Sequence, residues 1–294
     1  MVVATRDRPE LLERAVQSIL RQSYPGDIEC VVVFDQSPRT GVPVTESAGR
    51  RLRLTSNTRS PGLAGARNSG ILATSTPFVA FCDDDDQWDP GKLRLQIELA
   101  EKSAAEFVCC GVRIHHADHV VIRMPPPAVA FSQLVRERVS ALHPSSFVMR
   151  REAIDAMGFV DEQIPGGYGE DYDWLLRAAR RRSIVSVEQP LVDVYWHQQS
   201  YFAARWVAIA DALTYLLDKH PELRADRQGL ARIQGQIAFA HAALARRPAA
   251  VRDSWRALRN NPRERRALLA LAVTCGLIPA NSVVRIANSR GRGI

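Results

Sequence analysis

Pro77-Phe78-Val79-Ala80-Phe81-Cys82-Asp83-Asp84-Asp85-Asp86 is an apolar run that ends on consecutive carboxylates, and Gln87-Trp88-Asp89-Pro90-Gly91-Lys92 follows it. The stretch from Pro77 to Cys82 is short, unbroken and bounded by a turn signal, the pattern of a strand buried on both faces. Gly91 to Lys102 then reads as a helix. The alternation repeats outward in both directions. Val2-Val3-Ala4 opens the chain as a strand, and Asp7-Arg8-Pro9-Glu10 has the form of a capping box ahead of helically spaced Leu12, Val16, Ile19 and Leu20. Ile28 to Phe34 is a β-branched run, Leu52 to Leu54 fits a short strand, Ala64 to Ala73 a helix, and Phe107 to Ile114 another strand. Such alternation predicts an α/β fold with a mostly parallel sheet and right-handed crossovers. From Phe131 to Tyr195 short helices mix with strands at Ser146 to Met149 and Pro190 to Val194. Past Ser200 the chain turns to Ala-, Leu- and Arg-rich helices broken at Pro221, Pro248, Pro262 and Pro279. The expected division is an α/β domain over residues 1–199 and a basic helical C-terminal region over 200–294.

Composition sets limits on function. The 294 residues can bury a sizeable core, and 46% hydrophobic with 24% charged residues is ordinary for a globular protein rather than a disordered one. The net charge of +7 is unevenly placed: residues 1–199 hold 23 Lys+Arg against 26 Asp+Glu, whereas 200–294 hold 16 against 6. A basic tail on a slightly acidic body favours an anionic surface such as a lipid leaflet or an acidic partner, and no nucleic-acid motif accompanies it. Cys30, Cys82, Cys109, Cys110 and Cys275 form no C-x-x-C pair, and several lie in apolar runs, so reduced buried thiols are expected. Without a charged leader, and with Ala267 to Ala280 too short to cross a bilayer, the expected setting is cytoplasmic, with peripheral contact at the inner membrane face.

Ligands of open α/β sheets bind beyond the carboxyl ends of strands. Thr5-Arg6-Asp7, Asp35-Gln36-Ser37 and the acidic run from Asp83 to Asp86 all fall there. Four adjacent carboxylates repel one another unless a cation sits among them, and oxygen ligands suit Mg²⁺ or Mn²⁺, which bridges a diphosphate. The plainer reading is an acidic turn capping the next helix through Asp89-Pro90. His115-His116-Ala117-Asp118-His119 lies between strand-like runs and is read as a hairpin tip rather than a zinc site.

Taken in order, V-V-A-T-R-D-R-P, V-V-V-F-D-Q-S, G-L-A-G-A-R-N-S-G-I, F-C-D-D-D-D-Q-W-D-P-G-K-L, G-G-Y-G-E-D-Y-D-W-L-L-R and V-Y-W-H resemble family 2 glycosyltransferases of the GT-A fold over about residues 1 to 200. The resemblance implies a nucleoside-diphosphate sugar donor, a hydroxyl acceptor (a glycan, a lipid-linked glycan or a small molecule), a divalent metal and inversion by single displacement. It assigns Thr5 and Asp35 to base and ribose, and Asp83 and Asp85 to the ends of D-x-D, Asp83 toward the ribose and Asp85 on the metal. Asp84 and Asp86 are left to solvent or to supporting the ligands. Arg67 and Asn68 would line the diphosphate pocket, unless Arg67 pairs with a nearby acid. Glu170-Asp171 matches the family's E-D, with Asp171 as general base, a place that also suits a helix N-cap. Trp174 could offer the acceptor a stacking face beside Glu170, or could belong to the core. His197 follows a strand where the family keeps a histidine near the metal. Apart from the resemblance, His143-Pro144-Ser145-Ser146 precedes a strand and could line the acceptor side, which the sequence alone does not show. Phe34 departs from the family's V-D-D-G-S, a loss expected to alter base or ribose contacts. The rival from another class is a non-catalytic nucleotide-sugar-binding component of a glycan assembly complex. A nucleotidyltransferase is discounted because T-R-D-R-P has no glycine.

Overall fold

The computed structural model describes residues 1–116, 119–195 and 205–289. In chain order the elements are β1 (Val2–Thr5), α1 (Pro9–Leu20), β2 (Ile28–Phe34), β3 (Arg50–Ser56), α2 (Leu63–Leu72), β4 (Phe78–Asp83), β5 (Gln87–Trp88), α3 (Lys92–Ser103), β6 (Phe107–His116) and β7 (His119–Arg123). They continue with β8 (Ala128–Val129), α4 (Phe131–Arg136), β9 (Val148–Arg150), α5 (Arg151–Met157), α6 (Glu170–Arg181) and β10 (Ile184–Tyr195). Helices follow: α7 (Trp206–Lys219), α8 (Glu222–Ala225), α9 (Arg227–Ala243), α10 (Arg247–Asn260), α11 (Arg265–Thr274) and α12 (Ala280–Ser289). The chain forms two compact units, the first from Met1–Phe131, Val139–Glu162 and Glu170–Trp196, the second from Ser132–Arg138, Gln163–Gly169 and His197–Ile294.

The first unit is built on a ten-stranded sheet in the order β3-β2-β1-β4-β9-β6-β10-β5, with β7 on β6 and β8 on β10. Strands β3, β2, β1 and β4 run parallel, as do β6 and β10, while β9 is antiparallel to both β4 and β6. This is the α/β architecture with a mostly parallel sheet that the alternation predicts. The expected hairpin is present, β6 pairing with β7 up to His116 and His119; Ala117 and Asp118 at its tip lie outside the described residues.

Strand alternation sorts the side chains. Val3, Cys30, Val32, Phe34, Ala80 and Cys82 share a core with Leu12, Val16 and Ile19 of α1 and Leu93 and Ile97 of α3. Phe34, 4% exposed, belongs to this core, so the family's carboxylate is missing from a position that here serves packing. On the other face α2 comes very close to β1: a Cβ built on Gly70 would stand 2.3 Å from Val2 Cγ1. The expected capping box does not form. The N-cap of α1 is Arg8, with Pro9 starting the helix and no side-chain cap bond, and Asp7 adopts a left-handed φ of 54°.

In the second unit α9 packs against α7, α10 and α11. Ala238, Phe239, Ala242, Ala250, Ala270 and Val283 form its small-residue core, bordered by Trp206, Leu269 and Val273. Gly229 sits against the Val135 carbonyl, where a Cβ would be 2.1 Å away. Cys30, Cys82, Cys109 and Cys110 are buried free thiols, and Cys275 is exposed. No helix among the described residues is long and apolar enough to cross a membrane.

Candidate active site

The acidic run ends β4 at Asp83 and turns through Asp84 to Asp86, whose N–H donates to the Asp83 carbonyl at 3.1 Å, and each carboxylate meets its own partners. Asp83 accepts from Arg67 Nη2 at 2.7 Å. Asp84 accepts from Thr5 Oγ1 at 2.7 Å and from Arg8 Nη1 at 3.2 Å. Asp85 accepts from Arg8 Nη1 at 3.0 Å, and Asp86 from Ser145 Oγ at 2.5 Å. Asp84 and Asp86 are 7% and 2% exposed, so of the two places expected for them, solvent or support of the ligands, solvent is excluded. Burial pushes the carboxyls of both upward, Asp86 strongly because Asp83 and Asp85 add like charge. Two arginines from separate elements therefore supply much of the cationic charge that the acidic run demands.

Arg67 is the centre of the arrangement. It is 4% exposed, bonded to Asp83 through Nη2 and to Glu170 through Nη1. Burial disfavours its charge, but Asp83 and Glu170 outweigh burial and keep it cationic. Glu170 is 5% exposed, and burial raises its carboxyl to about 7 against the pull of Arg67. Asp171, beside it in the first turn of α6 and 9% exposed, joins Arg67, Glu170, Pro144 and Val160 around a small pocket. Gly166, Gly167 and Gly169, immediately before α6, all hold left-handed φ angles of 60°, 70° and 82°, which side chains other than glycine's resist.

Asp83, Asp86 and His143 bring one ligand atom each within 4.8 Å of one another. His143 Nδ1 lies 3.5 Å from Asp86, and burial lowers its pKa, favouring the neutral imidazole that can coordinate. The donor set, two carboxylates and an imidazole, fits Mg²⁺ or Mn²⁺. The set differs from the expected one. Asp85 is turned to Arg8, and His197 lies outside the described residues.

The remaining expected residues are heavily engaged with protein. Thr5 donates to Asp84. Asp35 accepts from Asn57 Nδ2 at 2.8 Å, from Gln36 Nε2 at 3.0 Å and from the Gly62 N–H at 3.0 Å, which ties the strand end to the start of α2. Asn68 is fully buried and exchanges hydrogen bonds with the Val160 backbone, donating to its carbonyl at 2.9 Å and accepting from its N–H at 3.0 Å. Trp174 is 2% exposed, edge-on to Phe81 at 5.2 Å, and gives its indole N–H to the Gly158 carbonyl at 3.0 Å. Its ring packs as a core ring that also lines the pocket beside Asp171. Arg8, Asn57 and Glu162 were not singled out by the sequence, and Ser145 was noted only for the acceptor side; the only signal for Arg8 was its place just beyond a strand end.

Residues 1–158 match the family model for glycosyl transferase family 2. A β-1,3-glucosyltransferase of Escherichia coli, WfgD, which acts with UDP-Glc on α-D-GlcNAc-diphosphoundecaprenol, is 27% identical over 46% of this chain and 54% of its own. The chain spans about half the length of the curated relatives it matches. Among solved structures, Staphylococcus aureus TarS 1-349 in complex with UDP-GlcNAc superposes with a TM-score of 0.62 at 15% identity, covering 99% of this chain and 91% of that 1-349 segment. The mannosyltransferase PcManGT of Pyrobaculum calidifontis, in complex with GDP-Man and Mn²⁺, gives 0.55 at 18% identity over 98% and 78%. These structural likenesses establish a GT-A-like fold.

Proposed function

The chain belongs to glycosyl transferase family 2, and from that premise we propose that it moves a sugar from a nucleoside diphosphate to a glycan hydroxyl with inversion at the anomeric carbon. One observation carries the reading: Asp171 follows Glu170 in the first turn of α6, Glu170 is bonded to Arg67, and Arg67 also bonds Asp83 of the acidic run. The neighbour of the candidate base and the acidic run thus meet at one buried cation. Asp171 accepts a hydrogen bond from the acceptor hydroxyl and takes its proton as oxygen bonds to the anomeric carbon. The bond from that carbon to the diphosphate oxygen breaks, and the leaving diphosphate keeps the electron pair. Asp83, Asp86 and His143 would hold a divalent ion, which when bound supplies positive charge against the departing phosphates. Asp85 and His197 stay as proposed ligands of that ion once donor is bound.

Thr5 and Asp35 edge the nucleoside side in this reading. Arg67 and Asn68 act by holding other groups, and Trp174 belongs to the core. The relative acting on a diphosphoundecaprenol-linked sugar supports a lipid-linked glycan as acceptor and work at the membrane face, with residues 200–294 as a helical appendage.

Asp171→Asn tests the assignment. The amide keeps the shape of the side chain, so nucleoside diphosphate affinity and melting temperature should stay near the parent's. Turnover should fall about a hundredfold or more. A drop of only a few fold would mean that another group takes the proton.

A further inference from the structure

Helix α10 has two well-separated faces. Ala250, Asp253, Ser254 and Ala257 are buried against the second unit's core. Away from them Pro248 and Trp255 are exposed, Val251 is 37% exposed and Leu258 half-buried, with Trp255 at 61%. Their spacing of three, four and three residues places them on one stripe covering an arc of roughly 80°. Arg252, Arg256 and Arg259, all exposed, form the adjoining stripe. Buried Asp253 accepts from the guanidinium groups of Arg252 and Arg256, each at 3.1 Å, and so holds the heads of two of these arginines beside the helix, where their side chains stay 57% and 59% exposed. The same unit also exposes Leu268 (49%), Leu277 (77%) and Ile286 (53%).

We propose that this face of α10 is an interfacial surface that rests on anionic lipid head groups, Trp255 entering at head-group depth and the arginine stripe meeting the phosphates. A single exposed apolar residue is normal on a protein surface, whereas an aromatic-centred stripe with one cationic flank has the make-up of an interfacial helix. Charge selects the partner. Residues 200–294 hold 16 Lys+Arg against 6 Asp+Glu, which complements an anionic leaflet. A second copy packed face to face would bring the same arginine flank against itself.

The test uses the full chain with phosphatidylcholine vesicles, with and without phosphatidylglycerol, and is independent of whether the catalytic reading holds. The parent should sediment with anionic vesicles about tenfold or more in preference to neutral ones, and should be released at about 0.5 M salt. Tryptophan emission should shift to the blue on anionic vesicles, and that shift should vanish in Trp255→Ser. Trp255→Ser and Arg259→Glu should each weaken binding roughly tenfold with the parent's melting temperature retained, since both side chains lie outside the core. Equal or negligible binding to the two vesicle types overturns the proposal, as does binding indifferent to both substitutions. Self-association of the parent that Trp255→Ser abolishes would also overturn it, giving the face to a second copy.

Discussion

A guanidinium that is 4% exposed and bonded to carboxylates on two different elements cannot be exchanged for a point charge without leaving one of them alone. Arg67→Lys keeps the charge and loses the fork. We expect turnover to fall tenfold or more while nucleoside diphosphate affinity changes only a few fold, because Glu170 and its neighbour Asp171 lose their alignment rather than the donor its contact. Titration calorimetry beside initial rates separates the two: an affinity loss as large as the rate loss would put Arg67 on the diphosphate instead. At this scale the sequence was readable where chemistry is local. Asp83, Glu170 and Asp171 stand out by the resemblance, because carboxylates at a strand end or a helix start serve equally well as caps. Their partners were not readable. Arg8 reaches Asp84 across 76 positions and Ser145 reaches Asp86 across 59, and neither residue type signals such a bond on its own.

Elements differ in what pins them. The loop between β3 and α2 is tied down by Glu162, which accepts from Ser60 and Arg59 and also from Asn68 of α2 at 2.6 Å. Burial alone would raise the Glu162 carboxyl, but those donors outweigh it and hold it down at about 2. A folded value below the unfolded one stabilises the protein above the unfolded value of 4.5, and the contribution is lost as pH falls toward 2. Glu162→Gln should therefore lower stability at pH 7 by on the order of 2 kcal/mol, allowing for the solvent around Arg59, and the gap to the parent should narrow in denaturant melts toward pH 3. A gap independent of pH would show that the carboxylate's charge is not what holds the loop. Strands β1, β2, β4 and β6 were legible as unbroken apolar runs. Strand β10 is longer than the segment Pro190 to Val194 suggested, because its register shifts on both sides of Pro190 and the polar Glu188-Gln189 at the irregularity read as a break. The capping box at Asp7 failed for a related reason, since the backbone turns left-handed there and Pro9 begins the helix unaided.

Across the molecule, the parallel half of the sheet followed from strand–helix alternation. The insertion of β9 between β4 and β6 did not, since sequence order gives no hint that a three-residue strand will come between longer ones. That insertion carries Pro144 to Ser146 to the acidic run and brings His143 beside Asp86. A ligand that binds only the folded state raises its melting temperature, by about 2.7 kcal/mol of stability at a hundred times Kd. Mn²⁺ with a nucleoside diphosphate should raise the parent's melting temperature more than either alone, and Asp86→Asn should erase the extra rise seen when Mn²⁺ accompanies the nucleotide. Retention of that extra rise would move the ion away from Asp86. Gly70 adds one more consequence. The helix carrying Arg67 lies so close to β1 that a Cβ there would stand 2.3 Å from Val2. An alanine at Gly70 adds no charge and touches no ligand, yet it must lift the helix that aligns Asp83 with Glu170. Such a substitution should behave as a temperature-sensitive allele, folding when cool and losing turnover on warming before bulk unfolding begins.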